Sequence, residues 1–351
     1  MKLLNDYASV SLKGQIRSDT GVFLLAGRVM GPEQLLFKEQ LNLFSDRGMD
    51  IENAKVKKLE NISYYRLKEF ARPLSKETEV NGKINIDYTG VTFTEVLARY
   101  YQDKNLRIFL LHAIEKIEVS VKTNLSYILG EKYGAFGYLD FSKWSNRENF
   151  SKYTIQKREM KFKKQLLWTV KKLPRYSDAR MEKNTDSDGF PTVWLALNIL
   201  TFGELVSLIE VLSSKNLKKL SSIYDCTGKE FVSWMKTLHL VRNTCSHNSN
   251  IIDISIKTEP MYREEWNDFL YMFINEGDMK PTNKLSVILA ILKHFISIIN
   301  VKYQWKNIYQ SIDTLCKSDK KARLLGFKNK SSLRKFKDYR RGYHYTLKRV
   351  K

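Results

Sequence analysis

Cysteine is scarce in this chain of 351 residues. Cys226, Cys245 and Cys316 stand far apart with no Cys-x-x-Cys spacing, which argues against a disulfide scaffold and against a cysteine-held zinc site. No cluster of Cys, His or carboxylate has metal-ligand spacing, so neither a metal nor another cofactor is expected. Acid is short as well. Only 38 Asp and Glu face 60 Lys and Arg, a net charge of +22, and that excess is the electrostatic footprint of a protein that binds polyanions, with nucleic acid as the leading partner. Long apolar runs are few. The strongest, residues 285–301, includes Lys293 and His294 and reads as a core helix rather than a membrane span. The opening residues Met1 to Asp6 turn polar too early for a secretory signal, so a cytoplasmic, reducing location is expected. At 43% hydrophobic and 12% aromatic residues the chain can bury a substantial core.

What is present is mostly helical periodicity. Residues 1–31 show little of it, and the apolar run Val22 to Ala26 is consistent with a strand or an arm. The pattern turns helical through residues 34–44, stops at Arg47-Gly48, restarts at Asp50 and runs into Asn61-Ile62-Ser63-Tyr64-Tyr65-Arg66-Leu67. Residues 75–90 read as a polar hairpin. The clearest signal spans residues 93–129, where Leu106, Phe109, Leu110, Ala113, Ile114, Ile117, Val121, Leu125 and Ile128 form one stripe. Beside it, Glu115 and Glu118 belong to a solvated face, with Glu118 able to pair with Lys122 at i,i+4. Further helices are expected over residues 152–172, 193–212, 229–246 and 262–275, and from Thr282 or Asn283 onward. The polar loop 174–191 contains Asn184-Thr185-Asp186-Ser187-Asp188-Gly189, which imitates a calcium loop but has Leu195 where the bidentate Glu would stand.

Charge concentrates in two places. Residues 152–172 hold eight basic residues against Glu159 alone, with Lys157, Lys161, Lys164 and Lys171 on one face and Tyr153, Phe162 and Trp168 interleaved, a pattern suited to stacking on unpaired bases. Residues 317–351 hold fourteen Lys or Arg against Asp319 and Asp338, with aromatic residues scattered among them, and are read as a small RNA-facing element.

One stretch stands out chemically. Leu238-His239-Leu240-Val241-Arg242-Asn243-Thr244-Cys245-Ser246-His247 closes a helix whose buried stripe should be Phe231, Trp234, Met235, Leu238, Val241 and Cys245. A guanidinium can grip phosphate oxygens in a fork at any working pH, and an imidazole can move a proton near neutrality. Asn243, one turn below His247, could orient its ring. The plainer reading is a capped helix end, where Arg and His often answer free carbonyls.

Several of these stretches together resemble the Abi-like proteins of bacterial abortive-infection systems, the AbiD and AbiF type, within the HEPN superfamily. They are Ser45-Asp46-Arg47-Gly48, Leu59 to Leu67, Ile114 to Thr123, Tyr133-Gly134-Ala135-Phe136, Phe202-Gly203-Glu204-Leu205, Val241 to His247 and Leu324-Leu325-Gly326-Phe327. Two departures are Asn248, where relatives often carry a second His, and a tail more basic than usual. The resemblance implies an all-α, HEPN-type helical bundle with additional helices; with the weak periodicity of residues 1–31 and the dense charge of the tail, the chain is read as an arm at 1–31, a main domain at 32–316 and a basic C-terminal element at 317–351. It also implies a metal-independent endoribonuclease, usually dimeric, with some relatives associated with a small non-coding RNA.

On that basis Arg242, His247 and Asn243 are the candidate catalytic residues, with Glu115 and Glu118 behind them. Candidate RNA contacts are Tyr64, Tyr65, Arg66, Lys157, Lys161, Lys164, Lys171, Arg334, Lys335, Arg340, Arg341 and Lys348. A homodimer would supply a second Arg and His to one cleft. A monomer would need Glu118, Tyr64 or His239 as the missing partner. The rival reading is a non-catalytic RNA-binding helical module.

Overall fold

The computed structural model describes residues 34–80, 82–257, 259–275 and 277–342, together with a strand pair at Leu24–Leu25 (β1) and Arg28–Val29 (β2). Strand β1 falls in the run where a strand or arm was expected, and β2 follows that run. Lys348 and the rest of residues 343–351 lie outside the described residues. The fold is mostly α-helical, and the chain divides into two compact units, Met1–Tyr101 and Gln102–Lys351.

The first unit holds helices α1 (Phe37–Ser45), α2 (Lys57–Asn61) and α3 (Tyr64–Ala71), the antiparallel hairpin β3 (Lys76–Val80) with β4 (Lys83–Asp87), and the start of the long helix α4 (Phe93–Tyr133). The polar hairpin therefore forms where expected. Gly48 ends the first helical stretch at φ +82°, and a Cβ there would meet Thr89 Oγ1 at 2.7 Å, so only glycine fits that turn. The stretch after it is two helices rather than one. Ser63 breaks it by accepting the Arg66 N–H through its side chain, a local bond that competes with the helix ladder. Phe44 is the hub of this unit, its ring 4.8 Å from Tyr64 and 6.0 Å from both Tyr88 and Phe93.

The second unit contains the rest of α4 and helices α5 (Phe141–Trp144), α6 (Lys152–Lys172), α7 (Val193–Ile199), α8 (Phe202–Glu210), α9 (Ser214–Ile223) and α10 (Gly228–Ser246). A hairpin of β5 (Met272–Asn275) and β6 (Asp278–Pro281) follows, then α11 (Leu285–Ile299), α12 (Lys306–Leu315), α13 (Asp319–Leu324) and α14 (Ser332–Asp338). Helix α11 is buried on every side from Leu285 to Ile296, and α10 packs on α8, α9 and α11. Among the described residues no helix is long and apolar enough to cross a membrane.

Two expected helices are corrected. Residues 193–212 form α7 and α8, split by Thr201, whose side chain and that of Glu204 cap α8 reciprocally, a start signal inside an otherwise continuous pattern. Residues 262–275 are a 3-10 turn (Glu264–Asp268) and the strand β5, because Gly277, at φ +89°, turns the chain back into a hairpin. The tail also belongs to the core: Ala322, Leu325, Phe327, Leu333 and Phe336 are buried. Gly326, at φ +89°, closes against Ser286 and Lys284, where a Cβ would come within 2.8 Å of Lys284 Cβ.

Arg340 is the main correction among the expected RNA contacts. Its side chain is only 5% exposed and is committed to Asp225 (2.8 Å), Ser297 (3.0 Å) and His294 Nδ1 (2.9 Å). His294 Nε2 donates to the Tyr224 carbonyl at 2.8 Å, so Nδ1 is the acceptor and the ring is neutral. Burial, then the Arg340 and Arg263 charges, hold its pKa well below the ordinary imidazole value. The unfolded chain protonates this His near its ordinary pKa of about 6.5 while the folded chain resists, so stability falls as pH drops below about 6.5. Urea unfolding between pH 7.5 and 5.5 should show that loss, and His294→Gln should reduce the slope; an unchanged slope would remove His294 from the acid response.

Candidate functional site

Helix α10 begins with a reciprocal cap, Thr227 accepting the Glu230 N–H while Glu230 accepts the Thr227 N–H. All six residues of the expected stripe, from Phe231 to Cys245, are buried. The helix ends at Ser246, with His247 as its C-cap. The Asn248 N–H bonds the Cys245 carbonyl at 3.3 Å and the Ser249 N–H bonds the Thr244 carbonyl at 3.0 Å, the paired bonds of a Schellman motif. Asn248 carries that turn at φ +56°, a conformation Asn tolerates better than most residues. The departure at position 248 thus has a backbone role.

The turn is held from α4. Asp103 and Arg107 form a buried i,i+4 pair at 2.6 Å. Arg107 donates to the carbonyls of Asn248 (3.2 Å) and Ser249 (3.1 Å), and Asp103 accepts the N–H groups of Ile251 (2.7 Å) and Ile252 (3.2 Å). One ion pair therefore satisfies four backbone groups that follow the motif helix. Both charges keep polar partners in a site where an unpaired one would be costly.

On this anchored helix end Arg242 and His247 are both exposed. Among the described residues Arg242 has no carboxylate partner; its one bond runs to Asn243 Oδ1 at 3.4 Å. Asn243 does not orient His247 as expected. Its Nδ2 donates to His239 Nε2 at 3.1 Å, because on a helix His239 lies one turn below it and is already fixed. Gly203 of α8 leaves room for that ring, where a Cβ would meet His239 Nε2 at 2.9 Å. Phe202 meets the ring edge-on at 6.0 Å. Burial first, and the Arg242 charge second, lower the His239 pKa, so its ring is neutral and Nε2 is the acceptor.

Arg242 lines a groove of about 450 Å³ together with Ser246, Glu115, Glu118 and His112. Glu115 and Glu118 thus line one groove with Arg242, without a hydrogen bond or ion pair to it among the described residues, while His247 is not among the groove-lining residues. Glu118 also makes the expected pair with Lys122 at 2.7 Å. Lys122 is buried and donates to the Leu200 carbonyl at 2.6 Å, which caps α7.

Sequence reasoning missed three kinds of residue here. His112, which bonds Tyr303 through Nδ1 at 3.1 Å, gave no signal. Gly203 stood in a named stretch but without its steric reason. Asp103 and Arg107 were readable as an i,i+4 pair, but such pairs usually sit in solvent.

The other expected contacts divide. Lys157, Lys161, Lys164 and Lys171 are all exposed along α6, with Tyr153 72% and Trp168 53% exposed. Phe162 is not available for stacking; it is buried against Tyr138 and Phe141. Tyr64 is likewise buried and accepts from Arg47 at 3.0 Å. Arg66 pairs with Glu69 at 2.7 Å, whereas Tyr65 is exposed. Lys335 is exposed, and the side chains of Arg334 and Arg341 are 91% and 82% exposed, each near Asp338.

A family model described as "Abi-like protein" matches residues 57–253, more than half of the chain, from α2 to just beyond the anchored turn. None of the curated proteins and none of the solved structures matches.

Breaking a buried pair by removing one partner costs about 3–5 kcal/mol. Asp103→Asn is therefore expected to lower the unfolding free energy by about 3 kcal/mol in urea titrations and to speed amide exchange at Ile251 and Ile252. Unchanged exchange at both amides would show that the turn is held by something else.

Proposed function

The chain belongs to the Abi-like protein family, and from that premise we propose that it is a metal-independent endoribonuclease of bacterial abortive-infection defence with a HEPN-type site. The observation that carries this reading is the end of α10. There an exposed guanidinium, without an acid partner among the described residues, and an exposed imidazole stand on a turn fixed by the buried Asp103–Arg107 pair. The 2′-hydroxyl of the substrate attacks the adjacent phosphorus and passes its proton to a base. The bond from phosphorus to the 5′-oxygen breaks, and that oxygen takes a proton from an acid. The products are a 2′,3′-cyclic phosphate and a 5′-hydroxyl.

In this scheme His247 moves a proton and Arg242 stabilises charge on the phosphoryl oxygens. Asn243 positions Arg242 through its side-chain oxygen and ties that residue to His239. One motif supplies one clamp and one proton carrier, whereas the reaction needs a base and an acid. A two-fold dimer in which α10 ends face one cleft meets that need. A bound structured RNA would regulate access, and the exposed lysines of α6 would track phosphates on either RNA. The absence of His247 from the groove favours a second reading, a non-catalytic RNA-binding module, and the same experiment separates the two.

Arg242→Ala and His247→Ala are expected to keep the fold and to lower RNA cleavage, measured in EDTA, by about 10²- to 10⁴-fold each. Wild-type chains mixed with an excess of either variant should lose activity as mixed particles of two-chain mass form by light scattering, because each such particle holds only one complete motif. Full activity in either variant would refute the assignment, and cleavage by a particle of one-chain mass would refute the composite site.

Charge reversal on α6 gives a separate test. Lys161→Glu with Lys164→Glu should weaken RNA binding similarly across sequences and flatten the plot of log affinity against log salt. The slope should fall by about 0.7 for each phosphate no longer neutralised, the value for single strands. An unchanged slope would leave these lysines as solvated surface.

A further inference from the structure

A second cavity, of about 560 Å³, lies within the second unit among the end of α11, the start of α12 and the end of α14. Its volume is that of an ordinary small-ligand pocket. One wall is aromatic. The rings of Trp305 and Tyr309 are close to parallel, 20° apart with centroids at 6.1 Å, and Tyr303 stands edge-on to Trp305 at 5.2 Å. A ring face left open on such a wall offers a stacking surface to a planar ring.

The charges around the wall fall into two groups. Those behind it are already committed: Lys293 Nζ donates to Tyr309 Oη (2.7 Å) and to the carbonyls of Phe336 and Lys337, and Lys337 binds both oxygens of Asp313 at 2.7 and 2.6 Å. Asp313, the one carboxylate among the described residues that line the cavity, is thereby neutralised. The cations at the opening remain available. Lys306 is exposed, and Arg341 reaches Asp338 only at 3.5 Å with its side chain 82% exposed. The side chains of Asn300, Lys306 and Gln310 also line the cavity and make no hydrogen bond among the described residues. Unused amides can read the donor and acceptor edge of a heterocycle, and unused cations can hold phosphate oxygens.

An aromatic face, two amides and a lysine without side-chain partners among the described residues, and an exposed Arg341 whose pairing with Asp338 is long, around one neutralised acid select a planar heterocycle that carries negative charge. We propose that this cavity is a binding site for a nucleoside phosphate, presented either as a free mononucleotide or as the 5′-phosphorylated end of an RNA strand. The base stacks on Trp305 and Tyr309, Asn300 and Gln310 face its edge, and Lys306 and Arg341 hold the phosphate. The site shares no residue with the groove at Arg242, so it stands whether or not the chain cleaves RNA.

The test is calorimetric titration of the full chain with AMP, adenosine, inorganic phosphate and a trinucleotide with or without a 5′-phosphate, in the Arg242→Ala background so that RNA stays intact. AMP should bind at least tenfold more tightly than either adenosine or phosphate. Trp305→Leu should weaken AMP about tenfold or more, as loss of one stacked base does, while Lys306→Ala with Arg341→Ala should abolish the preference for AMP over adenosine. The control Lys215→Ala, exposed on α9 and outside both the cavity and the candidate RNA contacts, should change neither, and thermal melting identifies variants that lose the fold. Binding of the phosphorylated trinucleotide but not AMP assigns the strand end; binding of both assigns the free nucleotide as sufficient. Binding of neither, equal binding of AMP and phosphate, or AMP affinity unmoved in a folded Trp305→Leu chain would overturn the proposal.

Discussion

The candidate site depends on one buried ion pair, Asp103 with Arg107, one turn apart on α4. The end of any helix leaves carbonyls without intrahelical partners, and the loop that follows carries its own backbone groups away from solvent. Here the Schellman turn satisfies two of the carbonyls of α10, and the pair then answers two more carbonyls and two N–H groups up to Ile252. The energetic logic is reciprocal. Each charge is tolerated in the interior because the other charge and the backbone groups surround it, and the backbone is tolerated there because the charges answer it. The exposed side chains of Arg242 and His247 thus stand on a helix end followed by a turn that the buried pair holds.

The same rule sorts the basic excess of the chain. Lys122 caps α7, Lys293 closes the last carbonyls of α14, and Arg340 ties the chain just after α14 to Asp225 and His294. These cations act as internal connectors and contribute little to long-range attraction of a polyanion. The residues free to meet one are those that decorate helices without pairing inward, above all Lys157, Lys161, Lys164 and Lys171 on α6 and the surface positions of α14. Net charge predicts a class of partner, but only burial says which charges can reach it.

How much was legible follows from the range of the interaction concerned. The stripe of α10, the stripe of α4, the span of α6 and the hairpin at residues 76–87 were readable because periodicity and turn residues are local signals. The Glu118–Lys122 pair and the sharing of one groove by Glu115, Glu118 and Arg242 were partly readable from spacing and from the family resemblance. The split of residues 193–212 at Thr201 was not, since a strong cap inside a continuous apolar pattern competes with the helix on nearly equal terms. Arg340 could not be sorted from its neighbours at all. It differs from Arg341 only in what lies opposite, and Asp225 is 115 positions away.

Asn243 shows the same limit at the level of a single bond. It is one turn from both His239 and His247, so helical geometry alone allows either ring as partner. The choice is made by α8, where Gly203 admits the His239 ring and Phe202 packs against it. His239 is therefore held as a neutral acceptor, Asn243 is oriented by it, and the Asn243 oxygen is left facing Arg242. The packing of an apparently ordinary Phe-Gly pair is in this way transmitted to the guanidinium through two hydrogen bonds. A polar residue after the arginine acts on the arginine, and His247, standing at the helix cap, keeps an imidazole that no side chain among the described residues restrains.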